Sequence, residues 1–591
     1  MKKNRLSLKE TFNQAKQNYK NKNFNEAQII CYKILSIDHN HFESKVLLAD
    51  ILAKNKNFKD AIKLLKEAAD IQPNNVKILN NLGTASKEMG DQENAVKYYK
   101  KVLEIDHKNA NAYYNLGTTA HELKDLKNAI KYFKKTTELQ SNFALPHFVL
   151  GNIYVDLKDY QNAVSNYQKA IEINKNLVGA HNNLGLAFKK LNDFENAVSC
   201  YREAIKIKSD HVGSHHNLAM ALKELGKFEE SITALENAIK FEPENASHYF
   251  YLSEMKEDIL IPKLKSKIEK IIQNQTLSKT NLAFANYLLS KFEQKSKNYK
   301  KEFSYLTKGH NCFFDSKKVK FDLRVKYSFE DVLQISKGVK VDKVDKVEKK
   351  YENKIRPIFI VGVPRCGSTL IEKIIGSGPE SILMGEEIEV VENFINSKIL
   401  EKKSLNLGPV EKIRNELIEC YQQKELISEK FNYIFTDKSL NNFFYLDLIK
   451  TIFPEAKIIH CKRNLLSSII SIFQNNMSEL AWAHDLDNIF KYFDNYIKTM
   501  KEFNSKYPGY LCEIQFEELT NNPEEESKKI MQFCNLEWDK KCLEFYKRKD
   551  LISKTASNIQ IRKAIYKNQP DKYLPYKKFL EKYKEKYTWF K

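Results

Sequence analysis

No uninterrupted apolar segment of this 591-residue sequence is long enough to cross a bilayer as a helix, a span that needs roughly 20 such residues. The opening stretch, MKKNRLSLKETFNQAKQ, is basic but lacks the apolar core of a secretory signal. The nine cysteines are scattered, form no C-x-x-C pair and share no ligand spacing with the histidines. That pattern argues against structural zinc and for a reducing compartment. Carboxylates are the scarcer charge, 76 Asp and Glu against 97 Lys and Arg, and no acidic metal cluster is apparent. These absences predict a cytoplasmic protein with no membrane span and no metal. The formal charge of +21 suits a polyanionic ligand such as nucleic acid, an anionic membrane or a bis-phosphorylated nucleotide. Lysine as the favoured solvating residue accounts for the larger part of it. With 42% hydrophobic and 12% aromatic residues the chain buries substantial cores, and its length calls for more than one domain.

What is present first is a period. Leu48, Leu82, Leu116, Leu150, Leu184, Leu218 and Leu252 are each separated by 34 residues, and each is followed by Ala, Gly or Ser. Ala27, Ala61, Ala95, Ala129, Ala163, Ala197 and Ser231 keep the same interval, as do Tyr99, Phe133, Tyr167 and Tyr201. Small residues where two helices cross, with bulky ones beside them, make the tetratricopeptide pattern. About seven repeats are expected over roughly residues 8–243, with a capping helix near Asn245–Glu257. The concave face of such a solenoid suits a protein or peptide, and no nucleic acid is expected. Asn81, Asn115, Asn183 and Asn217 either line that groove or satisfy local helix-end groups. His181, His211, His215 and His216 are expected to be ordinary surface histidines.

From Ile261 to about Leu333 the period is lost but helical patterning continues, which predicts a helical connector. Ser336–Lys354 is charge-dense and reads as a linker or an exposed strand edge. Then comes PIFIVGVPRCGSTLIEKIIGSG, Pro357–Gly378. Ile358–Val363 suits a buried parallel strand, Pro364–Gly367 a turn, and Ser368-Thr369 the start of an amphipathic helix. A strand–loop–helix of this kind points backbone N–H groups and a positive helix end at one anion. Gly362 and Gly367 have the spacing of the ATP-type phosphate loop, but the Lys before the hydroxyl residue is missing, which disfavours a kinase or ATPase. Arg365 sits in the loop instead, suiting a single phosphate or a sulfonate.

The segment GVPRCGSTL resembles the 5′-phosphosulfate loop of sulfotransferases, which use 3′-phosphoadenosine 5′-phosphosulfate (PAPS). It looks closest to the tyrosylprotein branch and to bacterial sulfotransferases carrying tetratricopeptide repeats. The resemblance implies an N-terminal all-α tetratricopeptide solenoid (1–257), a helical connector and charged linker (258–354), and a C-terminal α/β, P-loop-like domain with a central parallel sheet (355–591). It implies that Arg365, Cys366, Gly367, Ser368 and Thr369 hold the 5′ end of the nucleotide. Cys366 stands where relatives usually have Ser and is expected to be a packing residue rather than a nucleophile. Ala456–Cys461 followed by Lys462-Arg463-Asn464 resembles the 3′-phosphate element, with Arg463 at the strand end and Ser471 eight residues on. Guanidinium and hydroxyl groups both suit phosphate.

Met384-Gly385-Glu386-Glu387 matches the Gly-Glu-Glu of tyrosylprotein sulfotransferases, which places the base on Glu387, with Glu386 as the alternative. Lys438, ending a strand in Tyr433–Lys438, is implied to stabilise the leaving oxygen. Leu440 replaces the usual Pro, so the turn is expected to differ. Thr555-Ala556-Ser557 and Gln560-Ile561-Arg562 resemble the segment that closes over the nucleotide, with Ser557 near the sulfonate and Arg562 and Lys563 reaching the 3′-phosphate. Phe516, at the end of a core strand, replaces a Tyr near adenine. The implied reaction is sulfuryl transfer from PAPS to a hydroxyl, a protein tyrosine being the natural acceptor and a carbohydrate an alternative. A repeat scaffold with a silent nucleotide domain is the competing class.

Overall fold

The computed structural model describes residues 7–274, 276–342, 355–380, 382–427, 433–548, 558–565 and 571–590. It divides into two compact units, Met1–Ser214 and His215–Lys591. The division by compactness differs from the one drawn from period and charge. The last repeat hairpin falls almost wholly in the second unit, where the connector helices share one apolar core with the C-terminal sheet.

The first unit is a run of antiparallel helix pairs in which a 13-residue helix is followed by a 14-residue one, from Leu8–Lys20 and Phe24–Ile37 to Val178–Lys190 and Phe194–Ile207. Asp91, Asp125, Asp159 and Asp193 each cap the second helix of a pair, accepting from a first-turn backbone N–H. The 34-residue interval has a direct packing cause. A Cβ built on Gly83, Gly117, Gly151 or Gly185 would lie 2.4–2.8 Å from the ring of Tyr99, Phe133, Tyr167 or Tyr201. The buried aromatic occupies the space that the missing side chain leaves. Gly151→Val is therefore expected to destabilise the solenoid by about 1–3 kcal/mol through overpacking, seen as an earlier thermal transition by circular dichroism of the full chain. Of the asparagines, Asn183 donates from Nδ2 to Asn152 Oδ1 of the preceding repeat at 3.0 Å, so part of its capacity is spent inside the solenoid.

In the second unit the repeats end with Phe228–Phe241 and the cap Ala246–Met255. His215 is buried and its ring lies 5.8 Å from that of Phe241. It is thus a core residue, contrary to the surface position expected of it. The connector helices Pro262–Gln273, Lys279–Lys295, Tyr299–Ser316 and Lys318–Lys326 join one continuous apolar core with the sheet. His310 donates from Nε2 to the Phe473 carbonyl at 2.7 Å and its Nδ1 lies 3.0 Å from Nδ1 of His484. Burial holds both imidazoles neutral, His310 down to about 4 and His484 to about 2.

The strands are β1 (Lys340–Asp342), β2 (Arg356–Val361), β3 (Leu383–Glu386), β4 (Asn406–Pro409), β5 (Ile434–Lys438), β6 (Lys457–Lys462) and β7 (Leu511–Gln515). β1 and β4 form a small parallel pair; the other five make a parallel sheet of order β3-β5-β2-β6-β7. All but the first residue of β2 is buried, as a strand covered on both faces must be. Phe359 of β2 lies opposite Asp437 of β5, and Val361 opposite His460 of β6. Connections leave to both sides of β2, which opens a crevice at the carboxyl ends of the central strands. No helix among the described residues is long and apolar enough to cross a membrane.

Candidate functional site

The loop after β2 is built around two left-handed residues, Arg365 (φ 67°) and Gly367 (φ 102°). Gly367 is required twice over: its φ is one that side chains resist, and a Cβ there would sit 2.2 Å from Cδ2 of Phe516. Gly367 is also the N-cap of the helix Ser368–Ile375 and provides no capping side chain. Ser368 and Thr369, the first two residues of that helix, line the same cavity, at the positive end of the helix dipole.

Arg365 and Arg463 meet at this point. Arg365 donates from Nε to Ser471 Oγ at 3.1 Å and from Nη2 to Gln560 Oε1 at 3.2 Å. Arg463, one residue beyond β6, donates from Nη1 to the Arg365 carbonyl at 2.8 Å, and its Cζ lies 4.8 Å from the centre of the Phe516 ring. They line an open cleft together with Gly367, Ser368, Thr369, Phe516, Ile561 and Lys563. Two guanidinium groups, a helix start and an aromatic face fit a nucleotide that carries more than one phosphate. Lys572 is a third cation near enough to feel the charge of both arginines. Burial and then the charges of Arg365 and Arg463 hold its ammonium down to about 8, against the pull of Glu302.

Beside the loop, β3 and β5 end in register, Glu386 opposite Lys438. Lys438 Nζ lies 2.9 Å from Glu387 Oε1 and 3.7 Å from Glu386 Oε1. Lys373 lies 3.9 Å from Glu386 and 3.5 Å from Glu372, whose other oxygen accepts from Thr436 Oγ1 at 2.8 Å. Burial works against the charge on Lys438, yet Glu387, Glu386 and Glu372 outweigh it and raise its pKa above the ordinary lysine value. Burial raises Glu372 despite Lys373. The two carboxyl groups of the Gly-Glu-Glu segment differ in access. Glu386 is 6% exposed and enclosed between two lysines, while the side chain of Glu387 is 37% exposed. Behind Lys438 the buried Asp437 accepts from Tyr421, Ser439 and Asn442 at 2.6–2.9 Å, which braces the turn that lacks the usual Pro.

The structure thus brings Arg365, Gly367, Ser368, Thr369, Arg463 and Ser471 together, and pairs Glu387 with Lys438. Cys366 takes the packing place expected of it, and the nucleotide-holding role implied for it and for Arg562 changes. The Cys366 side chain is fully buried and faces Cys461, whose Sγ donates to the Cys366 carbonyl at 3.0 Å. The hydrogen bond from Cys461 lowers the Cys366 thiol pKa, with burial opposing and Lys438 among the lesser charges. Cys366 thus supports the loop from beneath and does not line the cleft. Arg562 likewise lies outside the cleft: it donates from Nη2 to the Glu224 carbonyl at 3.0 Å, while its neighbour Lys563 takes the lining position. Ser557 lies outside the described residues. Gln560 and Lys572 had no assigned role in the sequence. An amide in the quoted Gln560-Ile561-Arg562 segment was the one signal for the first; nothing marks the second among so many lysines. Among the described residues no group of three His, Cys, Asp or Glu is placed to hold a metal ion.

Residues 357–540 match the profile of the sulfotransferase family, and residues 42–75, 85–124, 110–143, 151–192, 178–211 and 212–245 match tetratricopeptide-repeat profiles. An uncharacterized protein of Aquifex aeolicus is 30% identical over 53% of this chain and 42% of its own length. Protein-tyrosine sulfotransferase A of Caenorhabditis elegans is 25% identical over 35% of this chain and 56% of its own. Protein-tyrosine sulfotransferase 1 of Danio rerio is 24% identical over 36% and 61%. The chain therefore spans about half the length of these relatives. Among solved structures, that of MamA aligns at 26% identity over 28% of this chain and 97% of its own, with a TM-score of 0.27.

Proposed function

We propose, from a chain that carries tetratricopeptide repeats and then a sulfotransferase-family domain, that it transfers a sulfuryl group from PAPS to a hydroxyl acceptor. One observation carries the reading: Arg365 and Arg463 converge on a single cleft at the carboxyl ends of β2 and β6, beside the Lys438–Glu387 pair at the ends of β5 and β3. When bound, PAPS supplies the sulfuryl group and a phosphate leaving group.

The residues divide the rest of the work. Arg365, Arg463 and the helix start at Ser368 and Thr369 hold the phosphate oxygens, and Ser471 fixes the Arg365 guanidinium through Nε. The Phe516 ring, pressed on Gly367, offers a face for a base. Lys438 keeps its proton under the influence of three carboxylates and so stays a cation where negative charge builds up. Glu387, the more accessible carboxylate, takes the acceptor proton. Ser557 retains its proposed place near the sulfonate.

The acceptor we infer is a protein or peptide tyrosine brought by the repeat groove, which the names of the two sulfotransferase relatives and the helical repeats support. The division of labour along the chain proposed here remains 1–257, 258–354 and 355–591.

The test is nucleotide choice followed by label transfer. The full chain is expected to bind 3′-phosphoadenosine 5′-phosphate at least tenfold more tightly than ATP in calorimetry, because two arginines stand in place of the phosphate-loop Lys. Isotopically labelled PAPS added to a native extract then marks the acceptor. Tighter ATP binding, or no label in any macromolecule, would sink the reading.

A further inference from the structure

The segment 558–565 faces two ways. Gln560 accepts from Arg365, and Ile561, Lys563, Ala564 and Ile565 line the cleft. Asn558 and Arg562, four residues apart, turn to the hairpin of Val212–Glu224 and Phe228–Phe241. Arg562 donates from Nη2 to the Glu224 carbonyl at 3.0 Å and from Nε to Asn558 Oδ1 at 3.1 Å, while Asn558 Nδ2 donates to Glu224 Oε2 at 2.9 Å. That carbonyl ends a helix, where the last C=O groups lack intrahelical donors and the dipole favours a cation.

The hairpin turn is shaped to this contact. Gly226 has a left-handed φ of 72°, and a Cβ there would lie 2.4 Å from Cζ of Arg562. The guanidinium also lies 5.8 Å from the centre of the Phe228 ring. Asn558 is 2% exposed. A surface arginine with a chance contact has no need of a glycine cradle, a buried amide partner and a helix end together.

We propose that Arg562 is a positioning residue: it clamps the cleft wall 558–565 to the end of the last repeat hairpin, and through Gln560 that wall fixes the Arg365 guanidinium. The repeat hairpin would then control how firmly the donor nucleotide is held, without touching it. The consequence for the nucleotide rests on the proposed function; the clamp itself does not.

Two measurements on the full chain separate the possibilities. The first is hydrogen exchange of residues 558–565 without nucleotide. The second is affinity for 3′-phosphoadenosine 5′-phosphate against adenosine 5′-phosphate, which lacks the 3′-phosphate. Arg562→Ala is expected to raise exchange in the segment and weaken both nucleotides by a similar factor, roughly tenfold, as loss of a charge-assisted hydrogen bond that orders a wall should do. Asn558→Ala and Gly226→Ala, neither of which alters a cleft-lining side chain, are expected to reproduce the pattern, and Arg562→Lys to restore part of it. Unchanged exchange in Arg562→Ala with a loss confined to the 3′-phosphorylated nucleotide would overturn the clamp and make Arg562 a phosphate ligand. Should the wild-type chain bind neither nucleotide, the functional reading fails, and exchange alone still decides the clamp.

Discussion

Lys438→Met is expected to cut sulfuryl transfer by about three orders of magnitude, the range seen when a group that stabilises transition-state charge is removed, with nucleotide affinity falling far less. The lysine does not line the cleft wall formed by Arg365, Arg463 and Phe516, so its loss bears on the reaction more than on binding. Stability is the complication. Without Lys438 the buried Glu386 and Glu372 lose one of the two lysines beside them, and breaking such a pair typically costs about 3–5 kcal/mol. One carboxylate will then take up a proton. Its folded-state pKa would lie above its unfolded value, so the folded state binds more protons. The variant is therefore most stable in acid and loses stability as pH rises through the folded pKa. Lys438→Met combined with Glu386→Gln removes one buried charge of each sign and is expected to recover the thermal midpoint but not the activity. Glu387→Gln alone should lower the rate by a hundredfold or more, in the range expected for a general base, with little change in midpoint, because its side chain is the exposed one of the pair. Glu386→Gln having the larger kinetic effect would move the base to Glu386. The checks are initial rates with labelled PAPS and thermal unfolding between pH 5 and about 9.

Some of this site was legible in the sequence because the physical cause is local. The interval of 34 survives wherever Gly must lie under an aromatic ring, as Gly151 does under Tyr167. Strands buried on both faces announce themselves as β-branched runs, and the offset of eight between Arg463 and Ser471 places a strand end and a helix face on the same loop. Other features depend on long-range packing. Arg562 ends a 3-10 turn and Lys563 follows it, and which of them faces the cleft is settled by the hairpin at Gly226, more than three hundred residues away in sequence. The connector's integration was half visible: in Lys279–Lys295, Ala283 to Ser290 are buried without a break, and a helix apolar on every side is an inner-layer helix. His215 carried no such mark, since its burial comes from Phe241 on the partner helix.

Lys572 gives the second large effect, and its sign depends on whether the anion is present. In the nucleotide-free protein the ammonium is crowded by Arg365 and Arg463 and partly buried, which lowers its pKa from the ordinary 10.5 to about 8. A lysine whose folded pKa is depressed costs stability while it is charged. The cost is fully present below about pH 8 and is relieved as pH rises toward 10.5, where the unfolded chain also loses the proton. Lys572→Met is thus expected to stabilise the empty protein by about 1–3 kcal/mol at pH 7, allowing for solvent screening, with the gain closing above about pH 8. Adding 3′-phosphoadenosine 5′-phosphate reverses the order. Its phosphates turn the crowding of three cations into attraction, so the ligand raises the thermal midpoint of the wild type more than that of the variant. Stability given up in the empty cleft is what the protein recovers as anion affinity. Thermal midpoints across pH 6–10, each with and without the nucleotide, read both signs. A variant less stable than wild type when empty would place Lys572 in a structural ion pair with Glu302 instead, and its role at the cleft would fall.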